Sequence, residues 1–190
     1  MKKNLVLLCS VLLFTLAAGC SRELIVEEVL QMPPHASLYT AYNLWYDADG
    51  GIRSVNYQKG TVLPFGTEVE ILRATDKEIT FRTVAGKRVF TIQFEEEYRM
   101  QSPEEYLRTV FTLEKPDYLT EGMSPVSIEK IRRGIVEKGM SKAEVRLAFG
   151  PPCRFKTPSE LLDTWLYWKD FIIGRRIVFN NGLVVEIIEL

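Results

Sequence analysis

The sequence predicts an α+β protein with a small antiparallel β-barrel first and a unit of two helices and a three-stranded antiparallel sheet second. Three observations carry this. Residues 38–98 alternate apolar and polar positions at period two between turn clusters, as half-buried strands do. Two serine capping boxes, Ser102 to Glu105 and Ser141 to Glu144, open helices later in the chain. Asn181-Gly182 near the end is a strong hairpin signal, because both turn positions need positive φ.

The chain begins with Met1-Lys2-Lys3, then an apolar run from Leu5 to Leu16, then Ala17-Ala18-Gly19-Cys20. A charged start, an apolar stretch and a small-residue cleavage site are the parts of a secretory signal peptide, predicted over 1–19. The apolar run falls short of the roughly 20 residues that cross a bilayer. Without Lys2 and Lys3, Lys+Arg drops from 24 to 22 against 25 Asp+Glu, a net charge of −3. That balance argues against a nucleic-acid partner. Residues 20–37 read as a linker, in which Gln31-Met32-Pro33-Pro34 ends the short apolar and acidic stretch Leu24 to Leu30.

Strands are predicted at 38–45, 52–57, 67–73, 79–84 and 88–94, and five short strands at this spacing point to a small barrel. Pro103 at the first helical position and Glu105 start a helix expected to run over 103–115, where Lys115 precedes Pro116. The Gly-Met-Ser-Pro run 122–125 places a boundary between one unit at 38–119 and another at 126–190. A helix is expected from Ser127 to Gly139, with Ile128, Ile131 and Ile135 as its stripe. The Ser141 helix follows, with Val145, Ala148 and Phe149 as its apolar face and Gly150 and Pro152 as its stop. Strands over 164–168, 175–179 and 183–189 complete the chain.

Leu16-Ala17-Ala18-Gly19-Cys20 resembles a bacterial lipobox, which implies that Cys20 takes a diacylglycerol on its thiol and a further acyl chain, such as palmitate, on its freed amine. Each buried CH₂ adds about 0.8 kcal/mol of membrane affinity, so several chains together anchor durably. Leu63-Pro64-Phe65-Gly66-Thr67-Glu68-Val69 is similar to a turn and strand of bacterial SH3-like domains.

The C-terminal unit resembles the SmpA/OmlA/BamE family of outer-membrane lipoproteins. The resemblance rests on Gly139-Met140-Ser141, Glu144-Val145, Gly150 and Pro152, then Trp165 and Tyr167, then the run from Ile177 to Val184. It implies two helices on a three-stranded sheet, attachment to the periplasmic face of the outer membrane, and partners among envelope proteins such as the β-barrel assembly machinery. Ser21 after the cysteine agrees, since aspartate there is the usual signal for inner-membrane retention. The chain departs from the family's type member in its long N-terminal part, in the inserted Ile135-Val136-Glu137-Lys138, and in Lys169-Asp170 after Trp168. Most of the motif residues read as helix punctuation or core.

Nothing in the sequence marks an enzyme. The single histidine, His35, sits in the linker, and there is no phosphate loop, metal-spaced cluster or nucleophile elbow. No cofactor or metal is expected; Glu95-Glu96-Glu97 reads as a solvated strand end. Cys9 leaves with the signal and Cys20 is lipidated, so Cys153 remains alone and no internal disulfide is available. Two functions follow. One is a lipid-anchored scaffold or accessory protein in outer-membrane protein assembly or integrity. The other is a tethered module that grips peptidoglycan or a peptide with aromatics of the first unit, Trp45 and Tyr57 foremost, alongside Tyr39, Tyr42 and Tyr46.

Overall fold

Short alternating segments with polar turns between them pair with their nearest neighbours, and the first unit is built on such a meander. In the computed structural model, which describes residues 21–95 and 100–190, β5 (Glu68–Ala74), β6 (Glu78–Thr83) and β7 (Val89–Gln93) run antiparallel. Ile71 lies opposite Phe81, and Phe81 opposite Phe90. Residues 1–20, with the signal and Cys20, and Glu96 and Glu97 of the acidic run lie outside the described residues.

On one side β5 pairs antiparallel with β1 (Leu38–Thr40), which pairs antiparallel with β8 (Phe111–Thr112). On the other, β7 pairs with β3 (Gly51–Arg53) in parallel, Ile52 opposite Ile92. The result is a curled mixed sheet of order β3-β7-β6-β5-β1-β8, not the wholly antiparallel one expected. The cause is local. The Asp47 carboxylate accepts from the N–H groups of Asp49 and Gly51 and closes a tight turn ahead of β3. A separate two-stranded ladder joins β2 (Leu44–Tyr46) to β4 (Thr61–Leu63).

Beneath the curl lie Ile79, Phe81 and Ile92, each fully buried, with Leu107 and Val110 from α2 (Pro103–Val110). Phe81 stacks on Phe90 with centroids 5.4 Å apart and meets Phe111 edge-on at 5.3 Å. The helix expected over 103–115 stops at Val110 because Phe111 is extended and joins β1. The strand expected over 38–45 splits in two around Ala41-Tyr42-Asn43, and the one over 52–57 ends at Arg53, with Asn56 at φ 53°.

Residues 21–37, expected as a linker, sit on this sheet. The Leu24 N–H donates to Ala74 O at 2.9 Å, its side chain is buried, and Val29 and Leu30 of α1 (Val26–Leu30) pack on the same core. Arg22 pairs with Glu104 at 2.7 Å.

After α3 (Pro116–Leu119) come α4 (Pro125–Arg132), α5 (Lys142–Phe149) and the antiparallel strands β9 (Thr164–Trp168), β10 (Gly174–Asn180) and β11 (Leu183–Glu189), in sheet order β11-β10-β9. Ser124, not Ser127, caps α4, and Gly134 at φ 67° follows its end, which leaves Ile135 outside the helix. Asn181 and Gly182 take φ 50° and 78° in the β10–β11 turn. Trp165, Ile177, Phe179 and Val184 face inward against Val145, Ala148 and Phe149.

Candidate functional site

A helix leaves its last carbonyls without intrahelical partners, and a buried helix end must find donors elsewhere. The end of α5 finds them across the join between the two units. Leu147 O accepts the Asn43 N–H at 2.9 Å, Ala148 O accepts Asn43 Nδ2 at 3.1 Å, and Phe149 O accepts Asn56 Nδ2 at 3.0 Å. Asn43 Nδ2 also donates to Ile131 O at the end of α4, while its Oδ1 accepts the Phe65 N–H at 2.8 Å. Asn56 Oδ1 in turn accepts the Trp45 N–H at 3.0 Å. Both asparagines are buried, and each uses its Nδ2 to bond a helix end of the other unit, Asn56 Nδ2 also donating to Asn43 O within its own unit.

The join is apolar as well as polar. Phe65, from the turn that resembles SH3-like domains, is fully buried in the core of the C-terminal unit, with the Arg132 guanidinium 4.8 Å above its ring. Gly150, at φ 81°, lies so close to Tyr42 that a Cβ there would stand 2.7 Å from the ring.

The motif residues form the frame of this unit. The Gly139 N–H donates to Val184 O at 2.8 Å, and the Met140 carbonyl accepts the Val184 N–H at 2.8 Å. Ser141 and Glu144 form a reciprocal capping box. Burial raises the Glu144 carboxyl, but hydrogen bonds from the Ser141 backbone and the Ser127 and Ser141 hydroxyls outweigh it and hold the group below the ordinary range. Val145 and Pro152 are buried. Trp165 donates from Nε1 to Glu160 O at 3.2 Å, and the Tyr167 hydroxyl donates to Gly150 O at 3.0 Å.

The aromatics proposed to face a ligand are placed apart. Trp45 is half-buried beside Gly134 and Val62, its Nε1 without a partner. Tyr57 packs on Phe171, centroids 4.7 Å apart. Tyr42, grouped with them as able to face a ligand, is 1% exposed. His35 is exposed at φ 64° in the turn after Pro33-Pro34. Among the described residues no three His, Cys, Asp or Glu side chains gather as a metal site would need, and no helix is long and apolar enough to cross a membrane.

Two surface features remain. The outer face of the β9–β11 sheet carries a groove of about 500 Å³ lined by Leu166, Trp168, Ile172, Arg176 and Leu190, with Ile172 86% exposed. Where the units meet there is a cavity of about 70 Å³. Its walls include Tyr42, Val55, Phe94 and Pro152, and Cys153 and Arg154 also line it. Gln101 Oε1 and the Tyr106 hydroxyl are buried there without hydrogen-bond partners. Burial pushes the Tyr106 phenol well above the ordinary tyrosine range, and the Tyr42 phenol adds to the shift without reaching hydrogen-bond geometry.

Sequence reasoning passed over Asn43, Asn56 and Gln101, and read Phe65 only as part of the SH3-like turn and Tyr106 only as part of a helix face. The one available signal was Asn43 itself, a polar residue inside the apolar run Leu38 to Trp45. Comparison with protein-family models, curated proteins and solved structures found no match to this chain.

Proposed function

We propose that this chain is a lipid-anchored scaffold or accessory protein on the periplasmic face of the outer membrane, acting through protein contacts in outer-membrane protein assembly or integrity. The observation that carries the reading is the outer face of the β9–β11 sheet. It sets the apolar side chains of Leu166, Trp168, Ile172 and Leu190 among Lys156, Thr164 and Arg176, and is borne on a unit locked to the rest of the chain by Asn43, Asn56 and Phe65. A fixed frame presenting a groove of exposed apolar side chains ringed by the Lys156 and Arg176 cations suits docking to another protein. The succession of two helices and three antiparallel strands supports kinship with the SmpA/OmlA/BamE family, and the curled β5–β7 meander supports kinship with SH3-like domains. The lipobox ending in Cys20 supplies the anchor in this reading.

The test places a photo-crosslinking amino acid at Leu166 or Ile172 in the full-length chain, in intact cells. Adducts with subunits of the β-barrel assembly machinery, absent when the same group stands at Glu27 on α1, are expected. Equal labelling from both positions, or adducts only between copies of this chain, would overturn the partner. Mass spectrometry of the mature N-terminus tests the anchor separately, and an unmodified Cys20 or a retained Met1 would sink it.

A further inference from the structure

We propose that the lipid on Cys20 joins the folded body with no tether between them, so that the chain sits on the bilayer with the 75–77 turn and the start of α2 against lipid headgroups. This deepens the scaffold reading and rests on its anchor at Cys20; it adds which face the membrane takes and where that leaves the second unit.

The chain is fastened to the body from the second residue after Cys20. The Arg22 N–H donates to Asp76 Oδ1 at 3.0 Å, and the Asp76 N–H donates to Arg22 O at 2.9 Å. The Arg22 guanidinium pairs with Glu104 at 2.7 Å, and Glu23 forms an antiparallel bridge with Thr75. The Leu24 N–H donates to Ala74 O at 2.9 Å, with the Leu24 side chain buried. Two Cα steps of about 3.8 Å separate Arg22 from Cys20, a reach of about 8 Å at most. A diacylglycerol on the Cys20 thiol sets its glycerol at the border of the hydrocarbon core, and the headgroup layer outside that border is about 5–8 Å thick. Arg22 therefore stands at the headgroup surface, and its partners Asp76 and Glu104 stand there with it.

The charges of this face suit that position. Arg22 is matched by Glu104, and Arg73 by Glu23 at 3.5 Å and Glu78 at 3.8 Å. Cations already offset by carboxylates fit a zwitterionic lipid surface and do not call for an anionic one. The strand that ends at the anchor also starts near the join. β5 runs from Glu68, three residues after Phe65 in the core of the second unit, to Ala74 beside Leu24, and at about 3.3 Å per residue it spans about 20 Å. The second unit is thus carried at the end of β5 away from the lipid. Within it, α5 turns its last carbonyls to the join, and its first residue, whose N–H donates to Gly182 O at 3.1 Å, lies at the far end of the helix.

The experiment uses the lipidated full-length mature chain with Cys153→Ala, so that one added thiol can carry a fluorophore. The label stands at Lys77→Cys in the 75–77 turn or at Lys138→Cys ahead of α5, both exposed positions. The chain is placed in phosphatidylcholine vesicles that contain a lipid with a nitroxide on its headgroup, and unfolding midpoints confirm the fold of each variant. Quenching at Lys77→Cys is expected to exceed that at Lys138→Cys at least threefold. Ten Gly and Ser residues inserted between Ser21 and Arg22 are expected to bring the two within about twofold while the chain still floats with the vesicles. Flotation with equal quenching at the two positions before the insertion, or a preference for Lys77→Cys that the insertion leaves intact, would overturn this inference and leave the anchor standing. A chain that does not float would overturn the anchor and this inference with it.

Discussion

Asn43 spends its side chain on three backbone groups from three segments: Ile131 O, Ala148 O and the Phe65 N–H. Asn43→Ala strands all three in the interior, and each stranded buried group costs about 1–3 kcal/mol, so a loss of about 3 kcal/mol or more is expected in urea unfolding. An effect below about 1 kcal/mol would mean that water reaches the join. Two glycines separate strain from crowding in the same way. Gly139 and Gly150 both hold positive φ, but a Cβ at Gly139 meets nothing within 4 Å, whereas one at Gly150 meets the Tyr42 ring at 2.7 Å. Gly139→Ala therefore carries only the backbone penalty of about 1 kcal/mol. Gly150→Ala is expected to cost clearly more, because a buried ring must also move, and thermal unfolding of the pair measures the difference. The Gly150 turn was legible in the chain, since a glycine before two prolines ends a helix; its contact with Tyr42 was not, because the two lie far apart in sequence.

At the scale of elements, α5 is the one whose reading needed nothing beyond its own residues. Ser141 and Glu144 satisfy each other's backbone N–H groups within four residues, so capping is decided locally. Ser141→Ala is expected to cost about 1 kcal/mol. Glu144 adds a pH dependence of known sign. Its folded pKa is depressed below the ordinary glutamate value of about 4.5, so its stabilisation is complete above that value and lost as pH falls through the lower, folded pKa. Glu144→Gln should accordingly flatten the fall in unfolding free energy below about pH 4.5. A slope unchanged by this substitution would place the acid sensitivity at other carboxylates, such as Glu189 beside Arg175. The strand elements were less legible. Periodicity found β5, β6 and β7, and the density of aromatic and β-branched residues found β9–β11, but neither showed that β3 lies parallel to β7, since alternation reports which face is buried and says nothing of direction. Two- and three-residue strands such as β8 and β4 are too short to show a period at all.

For the whole molecule, the join makes two sequence-distinct units into one physical body. Phe65 is fully buried in the core that otherwise belongs to residues 126–190, and the ends of α4 and α5 are hydrogen-bonded by residues of the first unit. Phe65→Ala is expected to lower stability by about 3–5 kcal/mol, the usual cost of removing a buried phenylalanine. The full chain should unfold in a single transition. Residues 126–190 alone should lack cooperative unfolding, as calorimetry of the fragment would show; a fragment with a sharp transition of its own would mean that Phe65 only decorates a self-sufficient core. The apolar residues Leu24 to Leu30 belong to the same body, although the prolines after them gave the stretch the look of a spacer.

What can be read along the chain is whatever a few neighbouring residues settle among themselves: caps, the Asn181-Gly182 turn, the period of the longer strands, the α+β class, and a start that resembles a lipoprotein signal. Tertiary structure decided what depends on residues distant in sequence. It turned Asn43 and Asn56 into hydrogen-bond partners of a helix about a hundred positions away, seated Phe65 in the other unit's core, and buried Tyr106 near the join. The physical reason is that a polar side chain's role is set by which unsatisfied backbone group it meets, and that meeting exists only once both units have packed.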